Sequence, residues 1–377
     1  MDAVVAIPTK NEAERIGACL RALDAQTGGH SVRVLLLLND CNDGTADVVR
    51  AMRPGLGVPI DIVECHAGPG QSGAGFARRM AMQRAAEVMA RAGAGQAALL
   101  TTDADGRPDP DWVAGNLRGL RAGADAVAGQ AVIDPVEARL IPQRLHDADA
   151  RECAYADRLD HIAALVDPDP ADPWPRHTEH SGASMAVTQA AYHRVGGIPP
   201  VALGEDRAFF AALRRIDARI RHMPGLRVIV SGRIHGRAAG GMADTIRRRM
   251  VWPDPELDDR LEPAGDALRR VRLRRMARLV WRGGGDRWGG SPLAARLGIG
   301  ASDLTALLRR RHFGDAFDAI EASSPVLRRR AVPTAALAVE LDRAGRILAA
   351  IADVRPPLGL LRLLSRPAES ALQLQSD

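Results

Sequence analysis

Leu99-Leu100-Thr101-Thr102-Asp103-Ala104-Asp105-Gly106 is the stretch from which the fold of this chain is read. Two leucines and two threonines suit a buried strand, and Gly106, Pro108 and Pro110 stop it just past the carboxylates. Such a strand places Asp103 and Asp105 at the carboxyl edge of a sheet, where ligands bind in open α/β folds. Two carboxylates at this spacing are hard oxygen ligands, suited to Mg²⁺ or Mn²⁺ bridging a diphosphate. Asp-Gly is also a turn sequence, and Asp-x-Asp arises readily by chance among 46 acidic residues, so its neighbours must decide.

On either side of it, apolar runs at 3–7, 32–38, 60–64, 97–102 and 126–133 alternate with helical patterns at 12–25, 44–52, 74–92 and 109–121. Strands separated by helices of this length imply βαβ units and a mostly parallel sheet. The alternation then breaks. Residues 142–166 read as one long polar helix, ended by Asp167-Pro168-Asp169-Pro170-Ala171-Asp172-Pro173-Trp174-Pro175. Proline at that density cannot stay helical, so a loop is expected there, placed to cover a substrate. A strand at 183–188, a helix at 204–216 and a strand at 226–230 follow, and beyond about Ala243 the pattern is helical and rich in arginine.

An apolar fraction of 46% supports a buried core, filled by Ala, Leu and Val because aromatics make up only 3%. Cys19, Cys41, Cys65 and Cys153 show no Cys-x-x-Cys spacing, which argues against a structural zinc or a disulfide framework. Met1-Asp2-Ala3-Val4 lacks the basic start of a signal peptide, and no apolar run approaches the roughly 18 residues of a membrane span, so a cytoplasmic protein is expected. From Ile246 onward 24 arginines face 16 acids, whereas the preceding residues carry 27 basic against 30 acidic groups. That basic third suits a solvated helical surface or an anionic partner such as a membrane face. The segment from Arg247 to Arg282 is the expected contact, with packing on the core or a second subunit as the alternative. Arginine is not interleaved with aromatics, so nucleic acid is not expected.

Four blocks, in order, carry a resemblance. They are Val4-Val5-Ala6-Ile7-Pro8-Thr9-Lys10-Asn11-Glu12, Leu38-Asn39-Asp40-Cys41-Asn42-Asp43-Gly44-Thr45, Asp103-Ala104-Asp105, and Gly204-Glu205-Asp206. With this spacing the chain resembles family 2 glycosyltransferases of the GT-A fold over roughly residues 1–240. The second block is one residue shorter than the family pattern. The resemblance implies a Rossmann-like, mixed and mostly parallel sheet flanked by helices. It divides the chain into residues 1–243, with a nucleotide half at 1–130 and an acceptor half at 131–243, and an Arg-rich helical extension at 244–377.

The resemblance also implies roles. Pro8, Glu12, Asp40, Arg78, Asp103 and Asp105 would bind a nucleotide-diphosphate sugar, with Arg79 an alternative to Arg78. Asp105 and Asp103 would hold Mn²⁺ or Mg²⁺, with His235 as a third ligand, and Arg233 and Arg237 would suit the diphosphate. Asp206 would be the general base of an inverting transfer and Glu205 an acceptor ligand or second choice. His177, His180 and Ser181 would meet an acceptor of unidentified structure. Each has a plainer reading beside it: Glu12 and Asp206 as acids at helix starts, Asp40 as a turn former, His235 as a loop histidine. A retaining enzyme resembling glucosyl-3-phosphoglycerate synthases, or a non-catalytic nucleotide-sugar-binding protein, are the alternatives, and a homo-oligomer is compatible with either.

Overall fold

The computed structural model describes residues 1–66, 68, 73–234, 236, 240–283 and 290–354. The first elements are β1 (Ala3–Thr9), α1 (Ile16–Asp24), β2 (Val32–Asn39), α2 (Thr45–Met52), β3 (Ile60–Cys65), α3 (Ala74–Arg91) and β4 (Ala98–Thr101). Then come β5 (Arg107–Pro108), α4 (Trp112–Arg121), β6 (Ala126–Ile133), α5 (Gln143–Val166), β7 (Met185–Thr188), α6 (Gln189–Arg194), α7 (Glu205–Arg215) and β8 (Ile220–Val230). All eight strands form one sheet in the order β3-β2-β1-β4-β7-β6-β8-β5. The first four pair in parallel, β7 runs antiparallel to both neighbours, β8 is parallel to β6, and β5 closes the edge antiparallel. This is the mixed, mostly parallel sheet flanked by helices that the resemblance implies.

The central strands are apolar without interruption because both of their faces are covered. Alternate side chains still separate by face. Val5, Ile7, Val34, Leu36 and Leu100 pack with Ile16 and Leu20 of α1 and Trp112 of α4. Val4, Ala6, Leu35, Leu37 and Leu99 pack with Ala81, Met82 and Ala85 of α3 and Phe209 and Phe210 of α7. Removing one of these side chains, as in Leu99→Ala, would cost about 2–5 kcal/mol.

Some expectations are corrected. The first helix starts at Ile16 and not at residue 12, because residues 11–13 are held to the next loop: the N–H groups of Glu12 and Ala13 donate to Thr45 Oγ1 and Asp43 Oδ2, at 2.9 and 3.0 Å. The last strand starts at Ile220, six residues earlier than the apolar run suggests, and takes in Pro224-Gly225 where its register with β6 slips. The proline-rich loop is tied down and does not hang over the cleft. Asp172 is buried and accepts from the His222 N–H and Nδ1 at 2.9 and 2.8 Å, from Arg176 at 2.7 Å and from Arg221 at 3.0 Å.

The remaining helices are α8 (Met242–Val251), α9 (Ala264–Arg282), α10 (Gly290–Leu297), α11 (Ala301–Leu308), α12 (Phe313–Ser323) and α13 (Leu337–Val354). They bury a core of Leu273, Leu297, Leu304, Phe313, Phe317 and Ile320. A second core joins them to α5 through Tyr155, Ile162, Leu261, Ala264, Leu337 and Ala344. Several α9 arginines turn inward: Arg270 pairs with Glu262 and Glu321, and Arg274 and Arg278 both reach Asp167. This helix is packed against its neighbours, which corrects the expectation of a surface contact running the whole way to Arg282. Among the described residues no helix is long and apolar enough to cross a membrane.

Candidate active site

Strands β1, β2 and β4 end side by side, so the loops after Thr9, Asn39 and Thr101 meet at one sheet edge. Asn11 and Asp40 both adopt left-handed backbone, with φ of 53° and 50°. Asn and Asp tolerate that region better than other side chains, which explains their presence at these two corners. Between the loops lies a cavity of about 260 Å³, lined among others by Pro8, Glu12, Asn39, Arg78, Asp103, Asp105, Ser181 and Arg233.

Two arginines, Arg78 buried and Arg233 half-buried, organise the cavity. Arg78 points inward from α3 and donates through Nε to Glu205 at 2.9 Å, through Nη1 to Thr101 and the Gly182 carbonyl at 2.9 and 2.8 Å, and through Nη2 to Asp103 at 2.5 Å. Burial works against its charge, but the carboxylates of Asp103 and Glu205 more than reverse this and hold its pKa above the usual arginine value. Gly182 is required beside it, since a Cβ there would stand 2.5 Å from the guanidinium. Arg233, after β8, forks both oxygens of Glu12 at 2.6 and 2.8 Å and reaches Asp105 at 3.2 Å.

The acids are tuned by these surroundings. Burial, then the nearby Asp103 charge, pushes the Asp105 carboxyl up to about 6, against the pull of Arg233. Burial and the adjacent Glu205 raise Asp206 above the ordinary aspartate range. Asp206 Oδ2 accepts from the Gly182 N–H at 2.9 Å, so the segment carrying Ser181 and the start of α7 are joined. Gly204 precedes that helix with φ of 69°, a turn that favours glycine.

The structure thus gathers Pro8, Glu12, Arg78, Asp103, Asp105 and Ser181 around one cavity. Glu205 and Asp206 adjoin the cavity without lining it, joined to it through Arg78 and Gly182. Asp40 is set apart, with His66 at 3.6 Å, and the preceding Asn39 faces the cavity instead. Asn39 Oδ1 is buried with no hydrogen-bond partner among the described residues, which marks it as an acceptor for a ligand donor. Sequence reasoning missed Asn39, although its place as the last residue of a β2 pointing at the site was available.

His177 and His180 do not line the cavity. His177 is buried, His180 stacks on Phe210 at 4.3 Å, and its Nε2 meets His222 Nε2 at 3.0 Å. Their rings support the loop behind Ser181, which corrects the expectation that they meet an acceptor. His235 and Arg237 lie outside the described residues. Among the described residues no group of three His, Cys, Asp or Glu is arranged to hold a metal. Asp105, half-buried beside a second carboxylate and paired with Arg233, nonetheless has the donor chemistry a hard divalent cation takes.

A cavity with the carboxylates of Asp103 and Asp105 at the carboxyl edge of a mostly parallel sheet suits a diphosphate bound through a divalent cation. Residues 4–171 match the model of glycosyl transferase family 2. Among solved structures, a mannosyltransferase from Pyrobaculum calidifontis in complex with GDP-Man and Mn²⁺ is 16% identical, with 96% of this chain and 78% of that one covered at a TM-score of 0.42. TarS 1-349 of S. aureus in complex with UDP-GlcNAc is also 16% identical, covering 86% and 91% at a TM-score of 0.44. None of the curated proteins matches the chain.

Proposed function

We propose that this glycosyltransferase moves a sugar from a nucleotide-diphosphate donor to an acceptor hydroxyl with inversion, Asp206 acting as general base. The observation that carries the reading is the placement of Asp103 and Asp105 at the end of β4, joined through Arg78 to Glu205 at the start of the helix that also carries Asp206. Asp105 and Asp103 would hold Mn²⁺ or Mg²⁺, which when bound neutralises the diphosphate and the charge on the leaving nucleotide. His235 joins them by resemblance alone.

The chain's own residues do the rest. Asn39, Glu12 and Pro8 bound the nucleotide end of the cavity, and Asp40 stands at its outer edge. Arg233 is a guanidinium that can turn from Glu12 to a phosphate oxygen. Arg78 positions Asp103 and Glu205 and does not itself need to touch the donor. Asp206 takes the proton of the acceptor hydroxyl, and its raised pKa makes it a better base than an ordinary aspartate. Ser181 lies on the acceptor side. Helices α9 and α13 pack on α5 and α12 packs on α7, and the enzyme works on the cytoplasmic side.

A screen of UDP-, GDP- and TDP-sugars with Mn²⁺, followed by NMR of the product anomer, tests this reading. Transfer with inverted configuration supports it, retained configuration removes Asp206 as base, and binding with no turnover of any donor removes transfer altogether.

A further inference from the structure

Large apolar side chains on a soluble surface are ordinary when scattered, but a cluster at the mouth of a cleft marks an interaction site. Among the described residues Trp252, Leu140 and Val136 are 72%, 71% and 68% exposed, and Val251, Leu203 and Met242 are also exposed. They sit on three neighbouring segments, one of which begins at the cavity. Met242 itself lines the cavity at the start of α8, and Val251 and Trp252 end that helix. Arg144 donates to the carbonyls of Arg249 and Met250, at 3.3 and 2.5 Å, which brings the start of α5 against the end of α8. His146 bonds the Ala138 carbonyl at 2.8 Å, so the turn bearing Val136 and Leu140 lies next to that junction. Leu203 approaches from the other side, directly against Gly240.

Guanidiniums flank this ridge. On these segments Arg139, Arg144, Arg247, Arg248 and Arg249 outnumber Asp147, Asp244 and Asp254, of which Asp244 pairs with Arg247 and Asp254 with Arg248 and Arg249, while Glu137 is occupied by Arg15, Ser231 and Gly232. The Arg139 side chain has no partner among the described residues. An apolar crest with a tryptophan, edged by arginines, matches the layering of acyl chains beneath anionic headgroups. A small aqueous acceptor needs no such crest.

We propose that the rim formed by Val136, Leu140, Leu203, Met242, Val251 and Trp252 docks on an anionic lipid bilayer and presents the cavity mouth to its headgroup layer. Charge complementarity chooses the bilayer over a neutral surface, and continuity with Met242 sets the cavity against it. The proposal rests on the sugar-transfer reading only for what the docked cavity acts upon.

The full chain is mixed with phosphatidylglycerol or phosphatidylcholine vesicles at low and high salt, and binding is read by cosedimentation. Phosphatidylglycerol vesicles should capture it at low salt and release it as salt rises. The double variant Leu140→Ser/Trp252→Ser keeps the charge and should bind about tenfold more weakly, because two apolar anchors are lost. Brominated acyl chains should quench a fluorescence component that Trp252→Phe removes. No capture at low salt overturns the proposal, as does equal capture of the double variant, which would be mere attraction of a basic protein. A dimer that the double variant abolishes, with no vesicle binding, assigns the rim to a second copy and also overturns it. Donor hydrolysis without vesicles is measured in parallel: its absence with vesicle binding intact defeats the transfer reading and leaves the docking face standing.

Discussion

The guanidinium of Arg233 grips both oxygens of Glu12, at 2.6 and 2.8 Å, across 221 residues of sequence. It also stands 3.2 Å from Asp105, so one arginine balances two acids in the cavity. A donor that brings a diphosphate and a cation supplies Asp105 with a new partner and offers Arg233 a phosphate. Arg233→Ala should therefore weaken nucleoside diphosphate binding by about 10- to 100-fold, the range expected for a lost charge-assisted hydrogen bond. Titration calorimetry in Mn²⁺ measures this. Unchanged affinity would show that Arg233 only props Glu12.

Metal dependence follows from the same charges. Without a cation, Asp103 and Asp105 oppose a diphosphate, so nucleoside diphosphate binding should drop sharply in EDTA and return with Mn²⁺. Asp105→Ala should lose both that response and most turnover. Equal affinity with and without EDTA in the wild-type protein would take the metal out of the reaction.

Arg78→Gln should be costly to fold as well as to activity. The substitution leaves Asp103 and Glu205 without their shared cation, and breaking a buried ion pair costs about 3–5 kcal/mol. Urea unfolding reads the loss directly. A stability within error of wild type, with donor binding lost, would instead make Arg78 a donor contact.

The sheet and the Asp103/Asp105 edge were legible because both depend on local pattern: apolar runs, helix-length spacers and a Gly/Pro stop. Arg78 and Arg79 could not be ranked from sequence. One residue of helix is about 100° of rotation, which sends Arg78 into the site and leaves Arg79 beside Phe76. The fork of Arg233 on Glu12 was invisible because it depends on two distant loops sharing a sheet edge. His177 and His180 looked like site residues because they precede the site segment, yet His222, on β8, draws His180 away from the cavity. The resemblance points to Asp40, an acid just after the second strand, whereas Asn39, the last residue of β2, lines the cavity and Asp40 sits in the left-handed turn beyond it.

Asp206→Asn keeps the shape and the Gly182 contact but cannot accept a proton. Turnover should fall about 10²–10⁴-fold while donor binding hardly changes. Steady-state kinetics with a saturating donor and calorimetry on the same variant separate the two effects. A near-normal kcat would shift the base to Glu205 or to a retaining mechanism.

Acid sensitivity should come in part from the buried histidines. Burial, then the neighbouring His222, lowers His177 to about 4, overriding the carbonyls of Met223 and Ala128 that favour its charged form. Its Nδ1 accepts from the Glu179 N–H at 3.2 Å, so a proton there would face another proton. His180 is likewise lowered, to about 2, by burial and by His222, Arg214, Arg260 and His177. Below the ordinary histidine pKa of about 6.5 the unfolded chain therefore takes up protons that the folded chain refuses. The contribution of His177 to stability is fully present above pH 6.5 and is lost as pH falls towards 4. Asp105 acts in the opposite sense: its carboxyl, raised to about 6, takes a proton in the folded state first and so stabilises the fold as pH falls below 6. Comparison with His177→Gln isolates the histidine. Between pH 7.5 and 5 the wild type should lose more of its urea-unfolding free energy than this variant, by about 1–2 kcal/mol at about 1.4 kcal/mol per pKa unit. Parallel losses in the two proteins would mean that His177 is protonated in the fold, and that the contacts with Met223 and Ala128 outweigh its burial.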